Sequence, residues 1–197
     1  MNKTIIFCLF LNISTVFGQK NSPHLPDFSE AKAIEGMKLV WQDEFNETGK
    51  PNTKFWKSEK GFVRNEELQW YQEESANCQN GVLLIEGKRV QIANPNYEAG
   101  NSNWRKNRKE INFTSASFQT KGLQEWQFGT FIIRAKIDTT LGSWPAIWTL
   151  GNSGQWPSNG EIDIMEFYRV KSEPTILANV AHGTDKKYVA KWDDSKT

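Results

Sequence analysis

The sequence predicts an all-β fold, an antiparallel β-sandwich or barrel, on three observations. Short runs of β-forming residues recur along the chain, and no long apolar stripe with the 3.6-residue period of a helix accompanies them. One run, 129–138, alternates an apolar set of side chains with a second set, as a strand with one buried face does. Glycine, asparagine and proline separate the runs, as at 94–96 and 151–154. Many short strands without helices between them indicate antiparallel sheets.

The N-terminus has the features of a secretory signal peptide. Residues 1–18 contain a positive charge at Lys3, then an apolar stretch, and end on the small residue Gly18. The apolar stretch is shorter than the roughly 20 residues that span a membrane. We therefore expect cleavage near Gly18, an extracellular or periplasmic location, and no stable membrane insertion afterwards; an uncleaved anchor is the alternative. Residues 19–36 contain two prolines and predict a linker, which leaves 37–197 as the folded domain.

Within this domain, seven runs predict strands. Each combines β-branched, aromatic or other apolar residues over a length typical of a strand, and most are bounded by turn-forming residues. The runs are 38–45, 81–88, 114–120, 129–138, 144–150, 161–168 and 175–181. Three tryptophans, Trp41, Trp56 and Trp126, are expected to pack in the core.

Size, charge and aromatic content limit the class of protein. The chain has 197 residues, of which 38% are hydrophobic and 24% charged, as expected of one globular domain. Lys and Arg number 24 against 23 Asp and Glu. This net charge of +1 attracts phosphates only weakly, so no nucleic-acid partner is expected. Nine Trp exceed what one core needs and indicate a wide interface or a cleft for flat, apolar ligand faces.

An acidic run within 161–168 is the most informative stretch of the chain. In a regular strand Glu161 and Asp163 share one face, whereas Glu166 falls on the opposite face among the isoleucines. Burying a lone carboxylate there is costly or neutralises the group. One extra residue in a β-bulge around 164–165 returns all three acids to the same face. The sequence therefore predicts a bulge in this strand.

Three aligned carboxyl groups have three interpretations. They form a solvated face, as isolated charges usually do. They bind a hard cation such as Ca²⁺ or Mg²⁺. Or they cleave a glycosidic bond, where one carboxylate attacks the anomeric carbon and a protonated one supplies a proton to the leaving oxygen. Aromatic residues close in sequence, among them Trp144, Trp148 and Tyr168, argue against a solvated face, and the stiff run differs from flexible calcium loops. Glycosidic cleavage is favoured, and the other two interpretations stay open.

The chain resembles glycoside hydrolase family 16, in its laminarinase-like branch. The acids stand as Glu-x-Asp-x-x-Glu behind Asn-Gly, the spacing of the branch that carries the bulge residue, here Met165. The other matching stretches, in the family's order, are LVWQDEF at 39–45, RNEELQWYQ at 64–72, Gly129 with Arg134-Ala135-Lys136, WPAIWTLG at 144–151 and WPSNG at 156–160. The resemblance implies a β-jelly-roll sandwich, like that of concanavalin A, with a concave catalytic cleft across one sheet.

The resemblance also implies roles for single residues. Glu161 matches the family's nucleophile, Asp163 its assistant and Glu166 its acid/base. The positions that match sugar-contacting groups, or lie near them, are Asn65, Glu67, Arg134, Trp144, Trp148 and His182. Core packing is the alternative for Trp144, and a structural role is the alternative for His182.

The implied activity is secreted, endo-acting and retaining hydrolysis of a polysaccharide. A β-1,3- or mixed β-1,3-1,4-glucan, as in laminarin, is the expected substrate. A galactan such as agarose or porphyran is one alternative, and a non-catalytic β-glucan-binding module is another. No catalytic cofactor is expected. Family members often bind a structural Ca²⁺ on the convex side, but the sequence does not assign its ligands here.

Two features depart from the family pattern. Ile132 stands where the family commonly has a Glu beside the position of Arg134, which affects local ion pairing. The family also needs several strands after the catalytic one to complete both sheets, whereas this chain ends at Thr197. We therefore expect a jelly roll that is incomplete at its C-terminal end, because unpaired sheet edges tend to associate or unfold.

Overall fold

The computed structural model describes residues 33–184 and 187–193, and almost every regular element in them is a strand. A four-residue helix, α1 (Trp104–Asn107), and a short 3₁₀ helix (Glu73–Ser75) are the exceptions within those ranges. The strands are β1 (Lys57–Ser58), β2 (Gln69–Tyr71), β3 (Ala76–Gln79), β4 (Val82–Ile85), β5 (Lys88–Ala93), β6 (Glu110–Ser115), β7 (Phe118–Gln119), β8 (Ala146–Leu150), β9 (Glu161–Val170), β10 (Glu173–Thr184) and β11 (Lys187–Asp193). The prediction of an all-β fold is confirmed.

The described strands form one larger sheet and three smaller ones. The larger sheet is antiparallel, in the order β11-β10-β9-β8. A three-stranded sheet has the order β2-β6-β5, with β2 and β6 parallel. Two-stranded antiparallel pairs, β3-β4 and β1-β7, complete the set. The long β9-β10 hairpin is the centre of the larger sheet, and it positions the residues considered below.

Aromatic side chains make up much of the packing. Phe62, Trp70 and Ile111 form a buried cluster, in which the rings of Phe62 and Trp70 meet edge to face with centroids 5.4 Å apart. A second cluster centres on Trp41, whose ring lies 5.9 Å from that of Trp56 and 5.2 Å from that of Trp126. The three tryptophans pack on one another, but each is only half-buried and none belongs to the buried core, so the prediction of core packing is met only in part.

The predicted bulge in β9 is present. Ile147 and Trp148 are consecutive on β8, yet they pair with Met165 and Asp163 on β9, so that Ile164 is the extra residue. The pairing of β9 with β10 shifts at the same place. One unpaired residue changes the alternation of side chains by one step, which moves everything that follows it to the other face. The bulge prediction is therefore confirmed.

Two predicted strands are corrected. Residues 38–45 and 129–138 contain no regular strand, and the side chains of Phe131, Ile132 and Ile133 are exposed. An alternating pattern becomes a strand only where a neighbouring strand accepts its backbone hydrogen bonds, and these segments have no such ladder among the described residues. The other five runs each contain a strand. The sequence interpretation missed β1, β2, β3 and β11, and it reached only the first residue of β5.

The predicted signal peptide, 1–18, and most of the lead-in, 19–36, lie outside the described residues. In the part of the chain that the structure covers, no helix has the length and apolar character needed to cross a bilayer.

Candidate active site

Three carboxyl groups line one face of β9, and we call Glu161, Asp163 and Glu166 the acid row. The bulge brings Glu166 to the face of the other two. Asp163 and Glu166 are buried, and Glu161 is half-buried. Their cross-strand neighbours, which share this face, are Leu150, Trp148 and Ala146 on β8 and Ala181, Asn179 and Leu177 on β10.

Each acid accepts a hydrogen bond from a neutral N–H group. The indole Nε1 of Trp156 donates to Oε2 of Glu161 at 2.6 Å. The indole Nε1 of Trp144 donates to Oε1 of Glu166 at 3.2 Å. Asp163 accepts at Oδ2 from the side-chain amide Nδ2 of Asn179, at 3.0 Å. Neutral donors orient a carboxyl group without supplying a positive charge. Negative charges on neighbouring members of the acid row therefore still repel one another.

The pKa values of all three acids are raised, and burial is the largest cause for each. The negative charge of Asp163 further raises the pKa of Glu161 and of Glu166, whereas the tryptophan N–H groups oppose the rise. The side chains of Glu161 and Asp163 also hydrogen-bond to each other, which favours the proton on Glu161 over Asp163. Protons in the row are therefore shared, and its members titrate as a coupled set.

A cation approaches the row from the segment that precedes β2. The Arg64 guanidinium lies 5.4 Å from the ring centroid of Trp148 and 5.5 Å from that of Tyr71. It forms an ion pair with Glu59, which also accepts from the Ser117 hydroxyl. Its positive charge lowers the pKa of Glu161, against the effect of burial. Arg64 thus favours the ionised form of the first acid.

The predicted sugar-contacting residues lie at different distances from this face. Trp148 faces Asp163 across the β8-β9 ladder, and Trp144 contacts Glu166, with half of its surface exposed. Asn65 is exposed and has a positive φ of 52°. Glu67 accepts hydrogen bonds from the Tyr71 hydroxyl and from Gln69, and the Tyr71 ring lies beside Arg64. Burial, with the Glu67 hydrogen bond, raises the pKa of Tyr71 to about 12, so this phenol stays a donor.

Two predicted residues are not brought to the acid row. Arg134 is exposed within the irregular segment 129–138. His182 follows Ala181, which pairs with Glu161, so strand alternation places the His182 side chain on the opposite sheet face. The expectation that His182 lies near the cleft is therefore not supported by the register.

Three residues of the site were not assigned a role from the sequence. Arg64 and Trp156 stand within the matching stretches RNEELQWYQ and WPSNG, which was a usable signal. Asn179 is sixteen residues from Asp163, and no motif marked it. Only the pairing of β9 with β10 identifies it.

A cavity of about 550 Å³ opens beside Glu166. Its lining includes Leu141, Trp144, Tyr168 and Arg169, and the rings of Trp144 and Tyr168 meet at nearly a right angle. Aromatic faces and edges of this kind suit the C–H faces of a sugar ring. The cavity adjoins the acid row at Glu166, and we call the two together the groove.

No metal site is apparent in the residues that the structure describes, because no group of three His, Cys, Asp or Glu side chains there is arranged to hold an ion. The acid row itself uses carboxylate oxygens to accept N–H donors from Trp144, Trp156 and Asn179. A hard cation needs six or more oxygen ligands, which this arrangement does not offer.

Comparison with known proteins decides the family. Residues 55–196 match the family model described as an XgeA-like, catalytic GH16 domain. The chain belongs to glycoside hydrolase family 16. It is 37% identical over 154 residues to a β-glucanase of Rhodothermus marinus, an alignment that covers 73% of this chain and 48% of the relative. It is 32% identical over 168 residues to glucan endo-1,3-β-glucosidase A1 of Niallia circulans, covering 77% and 24% respectively.

Solved structures agree with this family assignment. One belongs to a study of endo-acting O-glycanases with which human gut bacteria initiate mucin breakdown: 31% identity, TM-score 0.75, covering 85% of this chain and 62% of the other. Another is a non-specific endo-β-1,3(4)-glucanase of family 16: 29% identity, TM-score 0.61, covering 86% and 67%. The predicted jelly-roll fold is confirmed by these matches. The chain spans about half or less of the length of the first two curated relatives.

Proposed function

We propose that this chain is the catalytic domain of a secreted, endo-acting glycoside hydrolase that cleaves a β-glucan with retention of configuration. One observation carries the proposal: a bulge places three carboxyl groups on one face of β9, and each outer glutamate accepts an indole N–H. Family membership supports the same reaction. A solvated acidic face would have no reason to bury Asp163 and Glu166.

In the first half-reaction, an ionised Glu161 attacks the anomeric carbon while the bond from that carbon to the leaving oxygen breaks. Glu166, kept protonated by burial and by its negative neighbours, transfers its proton to the leaving oxygen. Arg64 and the Trp156 N–H favour the charged form of Glu161, which the attack requires. The product is a glycosyl ester of Glu161.

In the second half-reaction, a water molecule cleaves this ester. Esterification removes the charge of Glu161, and this lowers the pKa of Glu166. Glu166 now accepts a proton from the attacking water, and Glu161 leaves as a carboxylate. Two displacements at one carbon give retention of configuration.

The substrate follows from the comparisons and from the groove. The first curated relatives act on β-glucans by name, which supports a β-1,3- or mixed-linkage glucan for this chain. A second candidate is a β-galactoside-containing glycan, supported by the TM-score of 0.75 to the O-glycanase structure and by 25% identity to the keratan-sulfate endo-1,4-β-galactosidase of Sphingobacterium multivorum. Red-algal galactans belong to the same chemical class. Laminarin, lichenan, agarose, porphyran, carrageenan, keratan sulfate and mucin form the panel that separates them.

The roles of the two glutamates are tested by azide rescue. Glu161→Ala is expected to release no reducing ends from laminarin, and with an activated aryl β-glycoside, azide should yield the glycosyl azide of inverted configuration. With Glu166→Ala, azide should instead yield the azide of retained configuration, because the glycosyl ester still forms. NMR of the anomeric proton measures both outcomes.

Trp104→Phe, in α1 and away from the groove, is the control for this experiment. A folded Glu161→Ala variant with wild-type activity would overturn the mechanism. Tight binding of laminarin by the wild-type chain without any hydrolysis would establish the non-catalytic binding module instead. Secretion is tested separately, because the mass of protein recovered from the medium should lack residues 1–18; recovery of the uncleaved mass in membranes would contradict it.

A further inference from the structure

Asn179 occupies the β10 position opposite the middle of the acid row. Its neighbours on that face, Leu177 and Ala181, are 1% and 2% exposed and apolar. Asn179 itself is 6% exposed, and so is Asp163, its cross-strand partner. An unbonded amide group at such a place costs free energy; Nδ2 of Asn179 is hydrogen-bonded to Asp163, whereas its Oδ1 is buried without a hydrogen-bond partner among the described residues.

The orientation of this amide follows from its partner. A carboxylate only accepts hydrogen bonds, so the NH₂ group of Asn179 must face Oδ2 of Asp163, as it does at 3.0 Å. An amide N–H donates well to an ionised carboxylate and poorly to a protonated one. Asn179 thus favours the ionised form of Asp163, and it restricts rotation of that carboxyl group.

This restriction reaches the first glutamate. Asp163 and Glu161 share a hydrogen bond, and Asn179 holds Oδ2 of the same Asp163 carboxyl group, so Asn179 can act on Glu161 through Asp163. In the sequence interpretation, the resemblance gives Asp163 the role of assistant to the nucleophile. The structure adds a third residue, on another strand, behind it.

We propose that Asn179 is a positioning residue of the acid row: its amide N–H keeps Asp163 ionised and oriented, and Asp163 in turn orients Glu161 for attack. The proposal rests on the proposed function for its kinetic consequence. The effect of Asn179 on the protonation of Asp163 does not depend on catalysis and can be tested without an activity assay.

The groups around Asp163 show how much its ionisation depends on the Asn179 N–H donor. On β9, Asp163 lies between Glu161 and Glu166; burial opposes the ionisation of Asp163, whereas its hydrogen bond with Glu161 favours it. Trp148 of β8, opposite on the other side, carries no charge, and Arg64 is the cation whose field reaches the row. From β10 the facing group is neutral Asn179. Its N–H therefore supplies the main local stabilisation of the Asp163 charge among the described residues.

The test uses the full chain with selectively ¹³C-labelled aspartate, and Asp163→Asn assigns the resonance. Asn179→Asp keeps the shape of the side chain and replaces the donor with a carboxyl group; Asn179→Ala removes it. Both should raise the pH at which Asp163 takes up its proton by about one pH unit or more. Both should lower kcat on laminarin about tenfold or more, with KM changed less than about threefold.

Asn179→Ser is matched to Asn179→Ala and differs from it by one hydroxyl donor, so it should recover part of kcat and part of the Asp163 titration. Val180→Thr, on the opposite face of β10, is the control and should leave both unchanged. Folded Ala and Asp variants with an unaltered Asp163 titration would overturn the proposal, as would failure of both to fold, which would make the role structural. If the wild type cleaves no glycan, the proposed function fails, and the titration still decides whether Asn179 acts on Asp163.

Discussion

At the scale of single residues, the two outer glutamates have the same chemistry, and the proposed mechanism gives them opposite protonation states. In that mechanism Glu161 is ionised when it attacks, and Glu166 is protonated when it donates. Burial and the negative charge of Asp163 raise both pKa values; Arg64 lowers that of Glu161, whereas the charge of Glu161 raises that of Glu166 further. Each glutamate also has its own tryptophan donor, so the two can be perturbed separately.

Trp156→Phe should move the acidic limb of the pH–rate profile to higher pH. The substitution removes the N–H that lowers the pKa of Glu161, so that pKa rises further and more of the nucleophile is protonated at a given pH. We expect kcat/KM near pH 5 to fall about tenfold, as for the loss of one hydrogen bond to a charged group. The pH dependence of kcat/KM, measured on laminarin, checks this prediction. An acidic limb at the wild-type position would contradict it.

Trp144→Phe should move the opposite limb. Its N–H lowers the pKa of Glu166, so the substitution lets Glu166 keep its proton to higher pH. The alkaline limb of the same profile should therefore shift upwards. Trp104→Phe is the control, because that indole packs on Phe62 and should move neither limb. Shifts of the same limb by Trp144→Phe and Trp156→Phe would show that the two glutamates have been assigned wrongly.

At the scale of elements, the bulge of β9 decides which residues reach the groove. Ile164 is the residue that β8 leaves unpaired, β10 pairs with neither Ile164 nor Met165, and the ladders are regular on both sides of this point. A strand with one residue fewer at this point would have a regular alternation of side chains. The three acids would then still share a face, at even spacing.

Deletion of Met165 should therefore leave a folded protein with the acid row on the same face, since Ile164 then takes the pairing place of Met165. Activity should fall at least about tenfold, because the distance between the outer carboxyl groups changes. Deletion of Ile162 is the control: it removes a ladder residue and should abolish cooperative unfolding. Circular dichroism and thermal melting measure both. A Met165 deletion that unfolds like the Ile162 deletion would contradict this account of the bulge.

At the scale of the whole molecule, the acid row lowers the stability of the fold at neutral pH. Its three pKa values are raised on folding, so between the ordinary carboxyl pKa, near 4, and the raised values the folded state binds more protons than the unfolded chain. The contribution of these groups to the free energy of unfolding is therefore most favourable below pH 4 and is lost as the pH rises through the raised values. The raised pKa values that the proposed mechanism uses therefore lower the free energy of unfolding at neutral pH.

Glu166→Gln should raise the melting temperature at pH 7 by roughly 2–4 °C, which corresponds to about 1 kcal/mol for a domain of this size. The amide cannot ionise, so the cost of a buried charge beside Asp163 disappears. At pH 3.5, where wild-type Glu166 is protonated, the two proteins should melt together. Calorimetry at both pH values checks this, with the exposed Glu173→Gln as control; a lower melting temperature at pH 7 would contradict the sign of the linkage.

The sequence by itself determined the all-β class, the bulge and the alignment of the three acids. These follow from local rules, since side chains alternate along a strand and a lone carboxyl group avoids an apolar face. Local patterns also predicted strands at 38–45 and 129–138, where the structure has none. A strand needs a partner for its backbone groups, and no local pattern reports whether one is present.

Only the tertiary structure decided which groups from elsewhere in the chain act on the acid row. The pairing of β9 with β10 put Asn179 beside Asp163 and turned His182 to the opposite face. Folding of the segment before β2 over Trp148 brought the Arg64 charge within reach of Glu161. Hydrogen bonds and charges act through space at distances of a few ångströms, so the residues that set these pKa values are identified by contact and not by position in the sequence.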